Sequence, residues 1–143
     1  MRDIKFRGYT QSDKKWVFGT LIEKDGVYYI LEQAIGLYEK DNKTFYSGLG
    51  GRFRFELHKV EVESIGQFTG LMDKKGAKIY EGDIIKIGWS EPFIYRVVYK
   101  PDKGCFVYET DRTDRWFYAH EIYSVVTEII GNTYAGIIQK GGD

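Results

Sequence analysis

Chemistry in this chain would have to come from few side chains. Cys105 is the single cysteine, and His58 and His120 are the only histidines, among 143 residues. Paired with either imidazole, and with a carboxylate such as Glu121 to orient the ring, a thiol becomes a thiolate nucleophile. No local motif supports that arrangement. Cys105 lies between Gly104 and the run Phe106-Val107-Tyr108, which reads as a strand in which cysteine serves as a small buried hydrophobe. The same three residues show none of the paired spacings of zinc sites, so no metal and no cofactor is expected. An unpaired thiol also fits a reducing compartment, which gives a cytoplasmic expectation.

Glu81 and Asp83 flank Gly82 and could act as a carboxylate pair for a cation or for proton transfer. Turn chemistry accounts for them as well, because an Asp beside a Gly hydrogen-bonds nearby backbone N–H groups. Gly48-Leu49-Gly50-Gly51 lacks the third glycine of a dinucleotide fingerprint and the Gly-Lys-Ser/Thr ending of a P-loop, and reads as a loop. A mixture of aromatic and basic residues is more suggestive. Lys86, Trp89, Tyr95, Arg96, Tyr99 and Lys100 cluster around two expected strands, where exposed rings could stack on bases. Alternation allows another reading, in which one parity forms the core and the charged parity is a solvated face.

These residues need elements to position them, and composition points to strands. The chain holds 24 aromatic residues, 17 glycines and only two prolines, which suits β-strands joined by tight turns. Basic and acidic residues number 21 each, and the stretch up to Ile65 carries 11 and 10 of them. Neither half is a polycation, so strong non-specific binding to nucleic acid is disfavoured. The start, Met1 to Arg7, alternates charged and apolar residues, placing Ile4 and Phe6 on one face of a strand and lacking the apolar run of a signal peptide or membrane span.

Strands are expected over Lys15–Glu23 and Val27–Leu31, turned by Asp25-Gly26, the strongest short hairpin signal in the chain. A turn at Asp41-Asn42-Lys43 and a flexible Ser47–Gly51 follow. The strand Arg52–Val62 needs a bend near His58-Lys59, because Phe53, Phe55 and Leu57 share one parity while Val60 and Val62 take the other. Further strands cover Ile84–Gly88, Tyr95–Lys100, Cys105–Glu109, Trp116–Tyr118 and Tyr123–Ile130, with one helical turn at Ala119–Ile122. Asp73-Lys74-Lys75-Gly76 has the residues of a type I turn closed by a left-handed glycine. The tail Gln139–Asp143 carries no apolar residue and should fray.

The run Gly66-Gln67-Phe68-Thr69-Gly70 through Asp73-Lys74-Lys75-Gly76 to Tyr80-Glu81-Gly82-Asp83-Ile84 resembles the signature of the YopX family of small phage- and prophage-encoded bacterial proteins. Ile4-Lys5-Phe6-Arg7-Gly8, Trp16-Val17-Phe18-Gly19 and Ile129-Ile130-Gly131-Asn132-Thr133-Tyr134 resemble its opening and closing blocks. The resemblance implies an N-terminal β region followed by a C-terminal SH3-like barrel, and a phage or prophage origin; because the sequence has no linker, the boundary is expected at a short connection near Ile65, giving residues 1–65 packed on 66–143 or one compact unit overall. It supplies no catalytic residue.

The resulting expectation is a mainly β, non-enzymatic accessory protein. It would associate with itself as a homo-oligomer, and with a phage or host protein, through strand edges and exposed rings, with no membrane partner. The alternative is a nucleic-acid-binding module built on the aromatic and basic strands.

Overall fold

The computed structural model describes residues 3–35, 44–46, 52–89 and 91–137. The expected segments Asp41–Lys43, Ser47–Gly51 and Gln139–Asp143 lie outside the described residues. The fold is mainly β, and no helix among the described residues is long and apolar enough to cross a membrane. Two compact units divide the chain, Lys5–Ile65 and the remainder from Gly66 onward together with the first few residues.

The first unit contains β1 (Phe6–Thr10), β2 (Lys15–Lys24), β3 (Val27–Ile35), β4 (Thr44–Tyr46) and β5 (Arg52–Lys59), paired antiparallel in the order β4-β5-β3-β2-β1. Lys24 faces Val27 across a two-residue turn whose Asp25 and Gly26 have φ of 53° and 78°, as a type I′ hairpin requires. Val17, Ile30 and Val60 form the core, with Phe6, Leu21, Tyr28 and Ile65 packed on them. Ile4 is exposed and precedes the first strand, so the expected strand start moves to Phe6. The parity change after Leu57 has a simple cause. β5 stops at Lys59, the Val60 N–H donates to the Tyr28 carbonyl (3.0 Å) and the Glu61 N–H to that of Tyr9 (2.9 Å). A 3-10 turn over Val62–Ser64 then replaces the end of the expected strand and leaves Val62 exposed.

The second unit opens with a hairpin of β6 (Gly66–Met72) and β7 (Lys78–Tyr80). β8 (Asp83–Ile87), β9 (Ile94–Lys100), β10 (Cys105–Glu109), β11 (Trp116–Tyr118), β12 (Thr127–Asn132) and β13 (Gly136–Ile137) form an antiparallel sheet in the order β11-β10-β9-β8-β12-β13. That order has two ends, and among the described residues no ladder joins them, so the SH3-like barrel of the sequence expectation is not closed. Among the described residues its end strands, β11 and β13, are three and two residues long and each pairs on one side only. One face carries the core of Ile85, Ile87, Tyr95, Val97 and Tyr108, joined by Ile79 and Ala119. The expected strand Tyr123–Ile130 begins only at Thr127. A 3-10 turn covers Ser124–Val126, the Thr127 hydroxyl donates to the Ser124 carbonyl (3.0 Å), and Tyr123 and Val125 are exposed.

The turn between β6 and β7 organises this unit. Asp73 is buried, and one carboxylate oxygen accepts from the N–H groups of Lys75 and Ala77 (2.9 Å each) while the other accepts from the N–H of Ile129 in β12 (3.2 Å). The Lys74 N–H donates to the Thr127 carbonyl (2.9 Å), and Gly76 closes the turn at φ 80°. The carboxylate therefore serves a local turn and a strand 56 positions away. Asp73→Ala removes three charge-assisted hydrogen bonds at once and should destabilise the protein by about 3 kcal/mol in urea denaturation, with Asp73→Asn intermediate.

Candidate functional site

The two strands singled out for their rings and charges place those residues on opposite faces. In β9, Tyr95 is 1% exposed and belongs to the core, so it is removed from the expected binding surface. The register sets Arg96 opposite Glu109 and Lys100 opposite Cys105. Arg96 contacts Glu109 (3.2 Å) and, through both terminal nitrogens, Asp111 (2.8 Å each), and Lys100 reaches Glu109 (2.8 Å). The hydrogen bond from Arg96 holds the Asp111 carboxyl below its ordinary range, and the same bond raises the guanidinium pKa. Lys86 is exposed on β8, opposite Glu128 of β12. Trp89 and Tyr99 are exposed, but two of the three expected cations, Arg96 and Lys100, are already committed to carboxylates.

Lys100 and Glu109 also border a cleft of about 350 Å3 shared with Lys103, Arg115, Asp102 and Asp114. Three bases and three acids balance there, so the cleft does not form a phosphate-binding groove.

Cys105 and His120 line a second cavity of about 330 Å3, with Gln67, Thr69, Tyr99 and Phe106. Glu121 does not line it, and among the described residues no hydrogen bond links the thiol to the imidazole. Thr69 is occupied structurally: its hydroxyl donates to the Ile79 carbonyl (2.8 Å) and accepts from the Leu71 N–H (3.1 Å). His58 lies in β5 of the first unit, buried beside Glu32 and Glu56.

The sequence reading named Trp116–Tyr118 as a strand but not as a surface. β11 is an end strand, with β10 on one side and no strand on the other among the described residues. Aromatic rings flank it. Trp89, 55% exposed, meets the edge of Phe117 at 6.0 Å, and Trp116, 41% exposed, meets Tyr118 at 4.9 Å beneath the Lys103 ammonium. The hint in the sequence was the aromatic triplet Trp116-Phe117-Tyr118 after a polar turn, although its edge position depends on the sheet order.

The sequence profile of the YopX protein family matches residues 5–136. The chain belongs to the YopX family. Protein EF1440 from Enterococcus faecalis, known from its crystal structure, has a similar fold, with a TM-score of 0.53, 19% identity and coverage of 92% of this chain and 94% of that one. At that identity the likeness concerns the fold alone. No curated protein matches the chain.

The most characteristic run of this YopX-family chain holds buried carboxylates with backbone duties. Asp83 is fully buried, and its Oδ2 accepts from the Tyr80 N–H (2.7 Å), the turn role available to it from sequence. Tyr108 is buried in the same unit. Burial, with a smaller contribution from the Asp83 charge, pushes its phenol well above 10.0. The unfolded chain ionises its tyrosines near pH 10, so this contribution to stability is intact below that pH. It is lost as the pH rises further, because the unfolded state sheds a proton that the folded state keeps. Melts should show wild-type stability falling above about pH 10, and Tyr108→Phe should fall less steeply over the same interval.

Proposed function

We propose that this YopX-family chain acts by binding rather than catalysis, as a phage or prophage accessory protein in the bacterial cytoplasm. Its first partner in this reading is a second copy of itself. The observation that carries the reading is the edge of β11 that no strand covers among the described residues, with two exposed tryptophans beside it. An unpaired edge offers backbone donors and acceptors to another strand, and two β11 edges meeting antiparallel about a two-fold axis would join two sheets into one. Trp116 would lose solvent at such a seam, in keeping with the enrichment of Trp at interface centres. The balanced charge of 21 basic and 21 acidic residues imposes no net repulsion between copies. A phage or host protein could use the same edge by strand addition.

The alternative partner, nucleic acid, needs cations free for phosphate. Arg96 and Lys100 share Glu109, and Tyr95 is not accessible for stacking. The self-association reading is therefore the stronger.

Light scattering across a concentration series, with absorbance at two wavelengths, tests it. Wild type should shift from monomer to dimer without carrying nucleic acid, and Trp116→Lys should stay monomeric with unchanged circular dichroism. A wild-type protein that remains monomeric throughout, or that elutes with salt-removable nucleic acid, would count against the reading.

A further inference from the structure

The pairing of β3 with β5 sets Glu32 directly opposite Glu56 and Ile30 opposite His58. Because side chains alternate along a strand, Glu32, Glu56 and His58 share the face that also presents the fully buried Ile30. Two carboxylates facing each other across a ladder repel, and here they lie beside an apolar core. His58 points at both. Its Nε2 is 3.5 Å from Glu32 Oε1 and 3.3 Å from Glu56 Oε2, and one ligand atom from each residue lies within 4.8 Å of the others.

The imidazole nitrogen decides how this cluster reads. His58 is only 7% exposed, and its Nε2 is buried without a hydrogen-bond partner among the described residues. A proton on Nε2 would be misaligned with both oxygens. A lone pair there would face two anionic groups and be repelled by both. A cation among the three atoms would satisfy the buried nitrogen and sit between the two carboxylate oxygens.

We propose that Glu32, Glu56 and His58 form a site for a divalent first-row transition ion, with the chemistry of Zn2+, Co2+ or Mn2+. Tetrahedral coordination at about 2.0–2.1 Å separates neighbouring ligand atoms by roughly 3.3–3.4 Å, close to the two distances from His58. An imidazole with two carboxylates suits such ions better than Ca2+, which takes six to eight oxygens, or Mg2+, which favours oxygen and water. Glu32, the most exposed of the three, opens the site to solvent, and three protein ligands leave a position for water or a partner's donor atom. The ion would clip β3 to β5. This assignment concerns the first unit and does not depend on the role proposed for β11.

Titration of the full chain with Co2+, read by visible d–d absorption, tests the site. Wild type should take up about one equivalent and melt several degrees higher with the ion than with a chelator. Glu56→Gln and Glu32→Gln should each weaken binding at least tenfold. If a variant fails to fold, the wild type still decides the question, because His58 and His120 are the only imidazoles. Long-range 1H–15N NMR on Zn2+ addition should move the His58 Nε2 resonance and leave His120 in place. No d–d absorption, equal binding in the glutamine variants, or equal response of the two histidines would overturn the proposal.

Discussion

The buried carboxylate of Asp73 is the interaction on which the C-terminal unit depends. A hairpin alone is marginally stable, and β6 and β7 gain stability when their turn is fastened to other structure. Asp73 does this with two oxygens, one for the turn's own N–H groups and one for Ile129 in β12. Lys74 and Lys75 add contacts to Glu128 at 3.4 and 3.1 Å, and their hydrogen bonds hold that carboxyl below its ordinary range. These exposed pairs contribute little by themselves, whereas the buried carboxylate is satisfied by fixed backbone donors. At the start of β6, a Cβ on Gly66 would sit 2.1 Å from the Glu81 carbonyl oxygen, so glycine is required there by close backbone approach.

That fastening leaves the sheet asymmetric. The end near β12 is tied down by Asp73, and the opposite end finishes in a three-residue strand with rings on either side. Between them, the outward face has its charges largely cancelled, with Glu109 serving Arg96 and Lys100 and Asp111 serving Arg96 again. A surface with neutralised charge and exposed tryptophans at a strand edge is suited to associating with protein. A polyanion would find fewer free cations there than the count of basic residues suggests.

Local signals carried much of the fold and little of the site. Asp25-Gly26 and Asp73 to Gly76 formed the turns expected because the residues needed for positive φ sit at the positions that demand it. Cys105–Glu109 and Trp116–Tyr118 emerged with the expected bounds. Long-range effects account for the misses. Tyr95 and Arg96 are neighbours in sequence and both could stack or bind, but parity sends one to the core and the other to a carboxylate. The β-branched residues of Tyr123–Ile130 suggested an early start to β12, yet a 3-10 turn capped by the Thr127 hydroxyl leaves Tyr123 and Val125 in solvent. Glu56 and His58, two apart on a strand, share a face legibly. Glu32 joins them only through the β3–β5 register, which no local pattern specifies.

Amide hydrogen exchange at low and high protein concentration tests the central claim, binding through the β11 edge, most directly. The account predicts that amides within Trp116–Tyr118 exchange more slowly as concentration rises, while those of the Asp73 turn do not change. Concentration-independent exchange throughout β11, or new protection confined to another part of the chain, would contradict it.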